Sequence, residues 1–167
     1  MNTKNSRQRI LYVCQAGITA ALYTVLTCLV GAFDLASGAI QFRISEALCI
    51  LPVFIPAAVP GLAVGCVISN LLMGSLWQDV IFGSLATLLG ALGAYLLRRA
   101  PVWMPALPTV LANTLIVPPI LAYAYRVEEG LPYLMLTVGL GELLSAGVLG
   151  TLLNLLLKKR NIFRRRS

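Results

Sequence analysis

The chain has 167 residues, of which 59% are hydrophobic and 11% charged, with a formal net charge of +7; a soluble domain carries roughly 45–50% and 25%. With a mean hydropathy of +0.87, a chain this small cannot hide its apolar surface, which excludes an ordinary soluble globule and a disordered chain and points to an integral membrane protein. The absence of histidine removes histidine-dependent triads and His-ligated metal sites, and without a G-x-x-x-x-G-K-[ST] run the chain does not itself bind ATP through a P-loop.

A helix needs about 20 apolar residues to cross the hydrocarbon. A basic head (Lys4, Arg7, Arg9) leads into an apolar stretch over 10–33, too long for a cleaved signal peptide. The stretch 44–58 is short and carries Pro52 and Pro56; 61–76 follows Pro60; 80–97 ends in Arg98 and Arg99. The stretch 107–125 is interrupted by Pro118 and Pro119, and 131–157 runs into Lys158, Lys159 and Arg160, with Arg164, Arg165 and Arg166 behind. This predicts an all-α protein of six transmembrane helices in one domain over 1–167. The four cysteines (Cys14, Cys28, Cys49, Cys66) lie inside apolar stretches with no C-x-x-C spacing and read as packing residues, so no metal site is expected.

Sidedness follows from charge. With both termini cytoplasmic, eleven of the thirteen Lys and Arg are inside and only Arg43 and Arg126 outside, as the positive-inside rule favours. The basic residues are therefore a topology signal, and no nucleic-acid partner is expected. A re-entrant hairpin over 44–76 fits the charges as well as two spans do; two spans need tilt and neighbours that satisfy the proline-freed backbone. Trp77, Tyr123, Tyr125 and Tyr133 then lie at the outer ends, and Tyr12, Tyr95 and Trp103 at the inner ends, as interfacial belts do.

Polar side chains at membrane depth are costly and face an interior or a water-filled cavity. Glu46, Asn70, Asp79, Asn113 and Glu142 fall largely in the outer half, with Gln41 and Arg43 just ahead of Glu46. Local readings exist: Asp79 as a helix cap, Glu46 paired with Arg43, the asparagines as interhelical hydrogen-bonding groups. Glu142 is hardest to explain locally, because no positive charge lies near it in sequence. Gly139, Glu142, Ala146, Gly150 and Asn154 share a helix face with it. Two small-residue stripes, Ala16–Ala20–Thr24 and Gly61–Gly65–Ser69, permit close helix contact, within the chain or with a partner. Carboxylates accept paired N–H donors, amides read both donors and acceptors, Arg43 can donate to a ring carbonyl, and Trp77 can stack on a flat face. A flat, nitrogen-rich solute suits this set better than an anion or a sugar.

The runs AIQFRISEAL (39–48), LPVFIPAAVPGLAVGCVISNLL (51–72), DVIFGSLATLLGA (79–91) and GELLSAGVLG (141–150) resemble the QueT family. Its members are substrate-binding S-components of energy-coupling-factor (ECF) importers assigned to queuosine precursors. The resemblance implies a six-helix S-component bundle in a prokaryotic plasma membrane, with an outward-facing site under a lid between the first two spans. The ligand would be a 7-deazapurine, such as queuine or its aminomethyl or cyano precursor. Gln41, Arg43, Glu46, Asn70, Asp79 and Glu142 would bind it, and the small stripe containing Ala16 and Ala20 would dock a transmembrane coupling subunit, EcfT. Two EcfA ATPases would use the ATP, leaving this chain without a cofactor or a catalytic role. The alternatives are an S-component for another vitamin-like solute, a stand-alone ion-coupled transporter with Glu142 as a proton site, a membrane enzyme and an assembly subunit.

Overall fold

The computed structural model describes residues 3–32 and 43–160. Among the described residues there are six α-helical stretches: α1 (Thr3–Ala32), α2 (Ala58–Leu72), α3 (Trp77–Leu96), α4 (Leu107–Tyr123), α5 (Leu131–Glu142) and α6 (Gly150–Lys159). A 3-10 helix spans Ile44–Val53, and a π-helical segment, Leu143–Leu149, joins α5 to α6 in one rod, Leu131–Lys159. Among the described residues there is no β-strand.

Four of the described helices are long and apolar enough to cross a membrane: Ser6–Gly31, Trp77–Leu96, Met104–Tyr123 and Leu131–Lys159. Their ends lie close to the stretches expected at 10–33, 80–97, 107–125 and 131–157. The expected span 44–58 is instead a 3-10 helix that ends at Val53, and 61–76 is a helix that starts earlier, at Ala58, and stops at Leu72. Ten residues at about 2.0 Å rise cover about 20 Å, and the fifteen of α2 at about 1.5 Å cover roughly 22 Å. Both are apolar, and both fall short of a hydrocarbon core about 30 Å thick.

The interior is made of small and polar residues, and the exterior of large apolar ones. Ala58, Cys66, Ala86, Ala91, Ala94, Ser69 and Thr87 are buried, whereas Ile10, Val13, Ile18, Leu71, Leu111 and Leu136 are exposed. In water this inversion would be untenable; in lipid, small residues let helices approach while leucine and isoleucine meet acyl chains. A Cβ on Gly61 would stand 2.6 Å from the Ala16 carbonyl oxygen, and one on Gly65 2.8 Å from that of Ala20. Thr24 Oγ1 donates to the Gly65 carbonyl at 3.2 Å. The two small stripes therefore meet each other. Ala20 is buried and the Thr24 hydroxyl donates to α2, while Ala16 and Thr24 themselves are half-buried.

The α2–α3 connection sets up the polar side of the bundle. Gly74 has φ +69°, its N–H bonds the Leu71 carbonyl at 3.2 Å, and the Ser75 N–H bonds the Asn70 carbonyl at 2.9 Å. This Schellman closure needs a left-handed residue, which glycine supplies without a Cβ clash. It ends α2 at Leu72 and turns the chain back so that Asn70 and Asp79 lie side by side, with Asn70 Nδ2 donating to the Asp79 carbonyl at 3.3 Å.

Candidate functional site

Most of the expected polar residues converge at the end of the bundle where the 3-10 helix begins. In a 3-10 helix residues three apart eclipse one another, so Glu46 and Cys49 stack, and Cys49 Sγ donates to Glu46 Oε2 at 3.2 Å. The other oxygen, Oε1, accepts the hydroxyl of Tyr23 from α1. Glu46 and Tyr23 are essentially without solvent exposure. Both carboxylate oxygens of Glu46 thus have donors, which offsets the cost of burying the group. Next to it, the Thr27 and Ser45 hydroxyls share a hydrogen bond of 2.8 Å that seats the 3-10 helix on α1.

Arg43 does not pair through its side chain with Glu46. Its guanidinium lies 3.9 Å from Asp79 Oδ2, while Glu46 bonds the Arg43 carbonyl through its backbone N–H at 3.0 Å. Asp79 Oδ2 also accepts the Tyr125 hydroxyl at 3.3 Å, and the same hydroxyl accepts the Leu76 N–H at 3.2 Å. Asp79 thereby ties the start of α3 to Arg43 and to the segment that follows α4. It does not cap its helix, where Leu76 occupies the N-cap and no side chain makes a cap bond.

Glu142 stands differently. It is 3% exposed, and its Oε2 has no hydrogen-bond partner among the described residues. Asn113 from α4 and Arg43 line the same cavity as its carboxyl. Arg43, Asn113 and Glu142, with Val117 and Val138, line one cavity of about 10 Å³, room for about a single water. A donor-only guanidinium, a two-way amide and an acceptor carboxylate therefore face one space.

Glu142 is the last residue of α5, where the π segment starts. The stripe Glu142–Ala146–Gly150–Asn154 recurs every four residues, and in an α-helix of 3.6 residues per turn it would drift by about 40° per step. A turn closed by i→i+5 bonds holds more residues and takes up part of that drift. All four residues are buried. At the far end of the stripe, Asn154 Nδ2 donates to the Val102 carbonyl at 2.8 Å.

Of the expected ligand residues, the structure brings Arg43, Asn113 and Glu142 onto the cavity and sets Glu46 behind them. Asn70 and Asp79 flank the site as its support. Trp77 is 65% exposed on the bundle exterior and does not join the cluster, because the first turn of α3 points its side chain outward. Gln41 lies outside the described residues. Sequence reasoning missed Tyr23, Cys49 and Tyr125 as partners of the carboxylates. The available signal for Tyr23 was its depth, midway along the stretch 10–33, where an interfacial aromatic has no place.

The chain is 42% identical over 83 residues to the queuosine precursor transporter QueT of Lactococcus lactis subsp. cremoris (strain MG1363), a match covering 49% of this chain and 48% of that relative. The aligned stretch thus spans about half the relative's length. No solved structure matches. The QueT transporter family model matches residues 13–159, taking in every described residue of the polar site, and on that match the chain belongs to the QueT transporter family.

Proposed function

We propose that this chain is the substrate-capture subunit, the S-component, of an ATP-driven ECF importer for a queuosine precursor. The observation that carries the proposal is the cavity shared by Arg43, Asn113 and Glu142, in which a buried carboxylate oxygen has no partner among the described residues. A 7-deazaguanine offers the complementary edge. Its adjacent ring and exocyclic N–H groups suit the Glu142 carboxylate, its ring carbonyl suits Arg43, and Asn113 can serve either kind of atom. Glu46 is held in place by Tyr23 and Cys49, and its negative charge favours a cationic aminomethyl arm.

In this reading the protein lies in a prokaryotic plasma membrane with six spans and both termini cytoplasmic. The two shorter apolar segments, Ile44–Val53 and Ala58–Leu72, complete the count with help from tilt and local thinning. The cavity admits about one water, so a heterocycle enters only when Arg43 and the 3-10 helix move away from α4 and α5. The chain performs no catalysis; a coupling subunit, EcfT, and two EcfA ATPases supply the energy. The half-buried Ala16 and Thr24, on either side of buried Ala20, leave part of the α1 stripe beside α2 for contact with EcfT.

Reconstitution tests the proposal. The chain alone in liposomes binds queuine without accumulating it, and adding the coupling subunit, the ATPases and ATP produces uptake. Accumulation by the isolated chain under a proton gradient would instead support the ion-coupled alternative.

A further inference from the structure

Arg43 stands between two acidic groups. It lines the cavity with Glu142, whose Oε2 has no partner among the described residues, yet the ion pair it makes among those residues is with Asp79, at 3.9 Å. A long side chain with five donors, set beside a buried carboxylate that lacks a partner, is expected to close onto it. Glu142 would then be neutralised, and both groups would be withdrawn from a ligand. The pull of Asp79 opposes that collapse.

Asp79 can do so only as far as it is itself fixed, and Tyr125 fixes it. The Tyr125 hydroxyl accepts the Leu76 N–H at 3.2 Å, which directs its own proton to Asp79 Oδ2 at 3.3 Å, the same oxygen that faces Arg43. Asp79 Oδ1 lies against Gly83, where a Cβ would stand 2.9 Å from it and displace the carboxylate. Tyr125 reaches this point because the chain turns back after α4. Arg126 has φ +53°, a left-handed conformation uncommon for a residue with a Cβ, and the Val127 N–H bonds the Leu121 carbonyl at 3.1 Å. Strained backbone of this kind gathers at functional sites. Interfacial anchoring accounts for an aromatic ring at this end of the bundle, but not for a hydroxyl bonded on both sides.

We propose that Tyr125 is a positioning residue for ligand recognition: through Asp79 it holds Arg43 away from Glu142 and sets the guanidinium for the ring carbonyl of the ligand. This role rests on the reading of the cavity as a 7-deazaguanine site. It makes selectivity for the carbonyl depend on a residue that touches no ligand.

Isothermal titration of the full chain with 7-aminomethyl-7-deazaguanine and with its thione counterpart tests this. Sulfur in place of the ring oxygen keeps the N–H groups for Glu142 and offers Arg43 a poorer acceptor. The wild type binds the oxo ligand more tightly by about tenfold, the factor one hydrogen bond from a charged donor contributes. In Tyr125→Phe the oxo ligand weakens about fivefold and the thione by less than about twofold, which leaves a preference below about fourfold. Asp79→Asn loses the preference in the same way, and decides the matter should Tyr125→Phe not fold. Equal weakening of both ligands, or no weakening of either, leaves the preference intact; it overturns the positioning role and spares the reading of the cavity. A wild type that binds neither ligand, or both equally, overturns that reading and the positioning role with it.

Discussion

Replacing Glu142 with glutamine separates binding from folding. In the free protein the carboxylate is 3% exposed, and its Oε2 has no partner among the described residues. The glutamine side chain has nearly the same shape and removes an ionisable group from a buried position. The stability of the empty protein is therefore expected to hold or rise slightly. Binding is expected to suffer. A carboxylate accepting from a ligand N–H contributes about 1.5–3 kcal/mol, whereas the amide has one acceptor and points a donor at another donor. The loss is at least about 1.4 kcal/mol, or tenfold in Kd. Isothermal titration of purified wild type and Glu142→Gln with queuine, beside thermal unfolding of both without ligand, measures the two effects separately. An unchanged Kd would refute the assignment of Glu142 to the ligand. A weaker Kd accompanied by a collapse in thermal stability would show a structural role instead.

Tyr23→Phe removes the donor to Glu46 Oε1 and is expected to destabilise the empty protein by about 1–3 kcal/mol, read as a lower Tm. Asp79→Asn weakens the hold on Arg43 and Tyr125; queuine binding should fall several-fold, less than in Glu142→Gln. The helix seam gives an opposed pair. Gly65→Ala drives a Cβ to 2.8 Å from the Ala20 carbonyl and should cost about 1–3 kcal/mol. Gly17→Ala meets nothing within 4 Å in α1 and should gain about 0.5–1 kcal/mol from helix propensity. Thermal unfolding in one detergent ranks the two, and the reverse order would show that α1 and α2 do not pack as described.

What could be read from the sequence was what depends on composition and burial cost. The four long helices follow from apolar length alone, and their ends from the prolines and basic residues that bound them. Glu142 stood out because nothing near it in sequence could neutralise it, and the structure leaves one of its oxygens without a partner among the described residues. The parts that were not legible depend on helix type and on which faces meet. Periodicity does not separate an α-helix from the 3-10 helix at Ile44–Val53, and that geometry is what stacks Cys49 on Glu46. A small-residue stripe fits any close neighbour, so Ala16, Ala20 and Thr24 did not reveal that their neighbour is α2. Trp77 is one residue from Gln78 and two from Asp79, yet helical rotation sends its ring to the exterior.

The account rests on buried polar groups being satisfied by a captured heterocycle. The most direct measurement is mass spectrometry of small molecules retained by the full chain after it is saturated with queuine and desalted, compared with Glu142→Gln treated in the same way. The account predicts near-stoichiometric queuine on the wild type and little on the variant. Equal retention by both proteins, or none on the wild type, would contradict it.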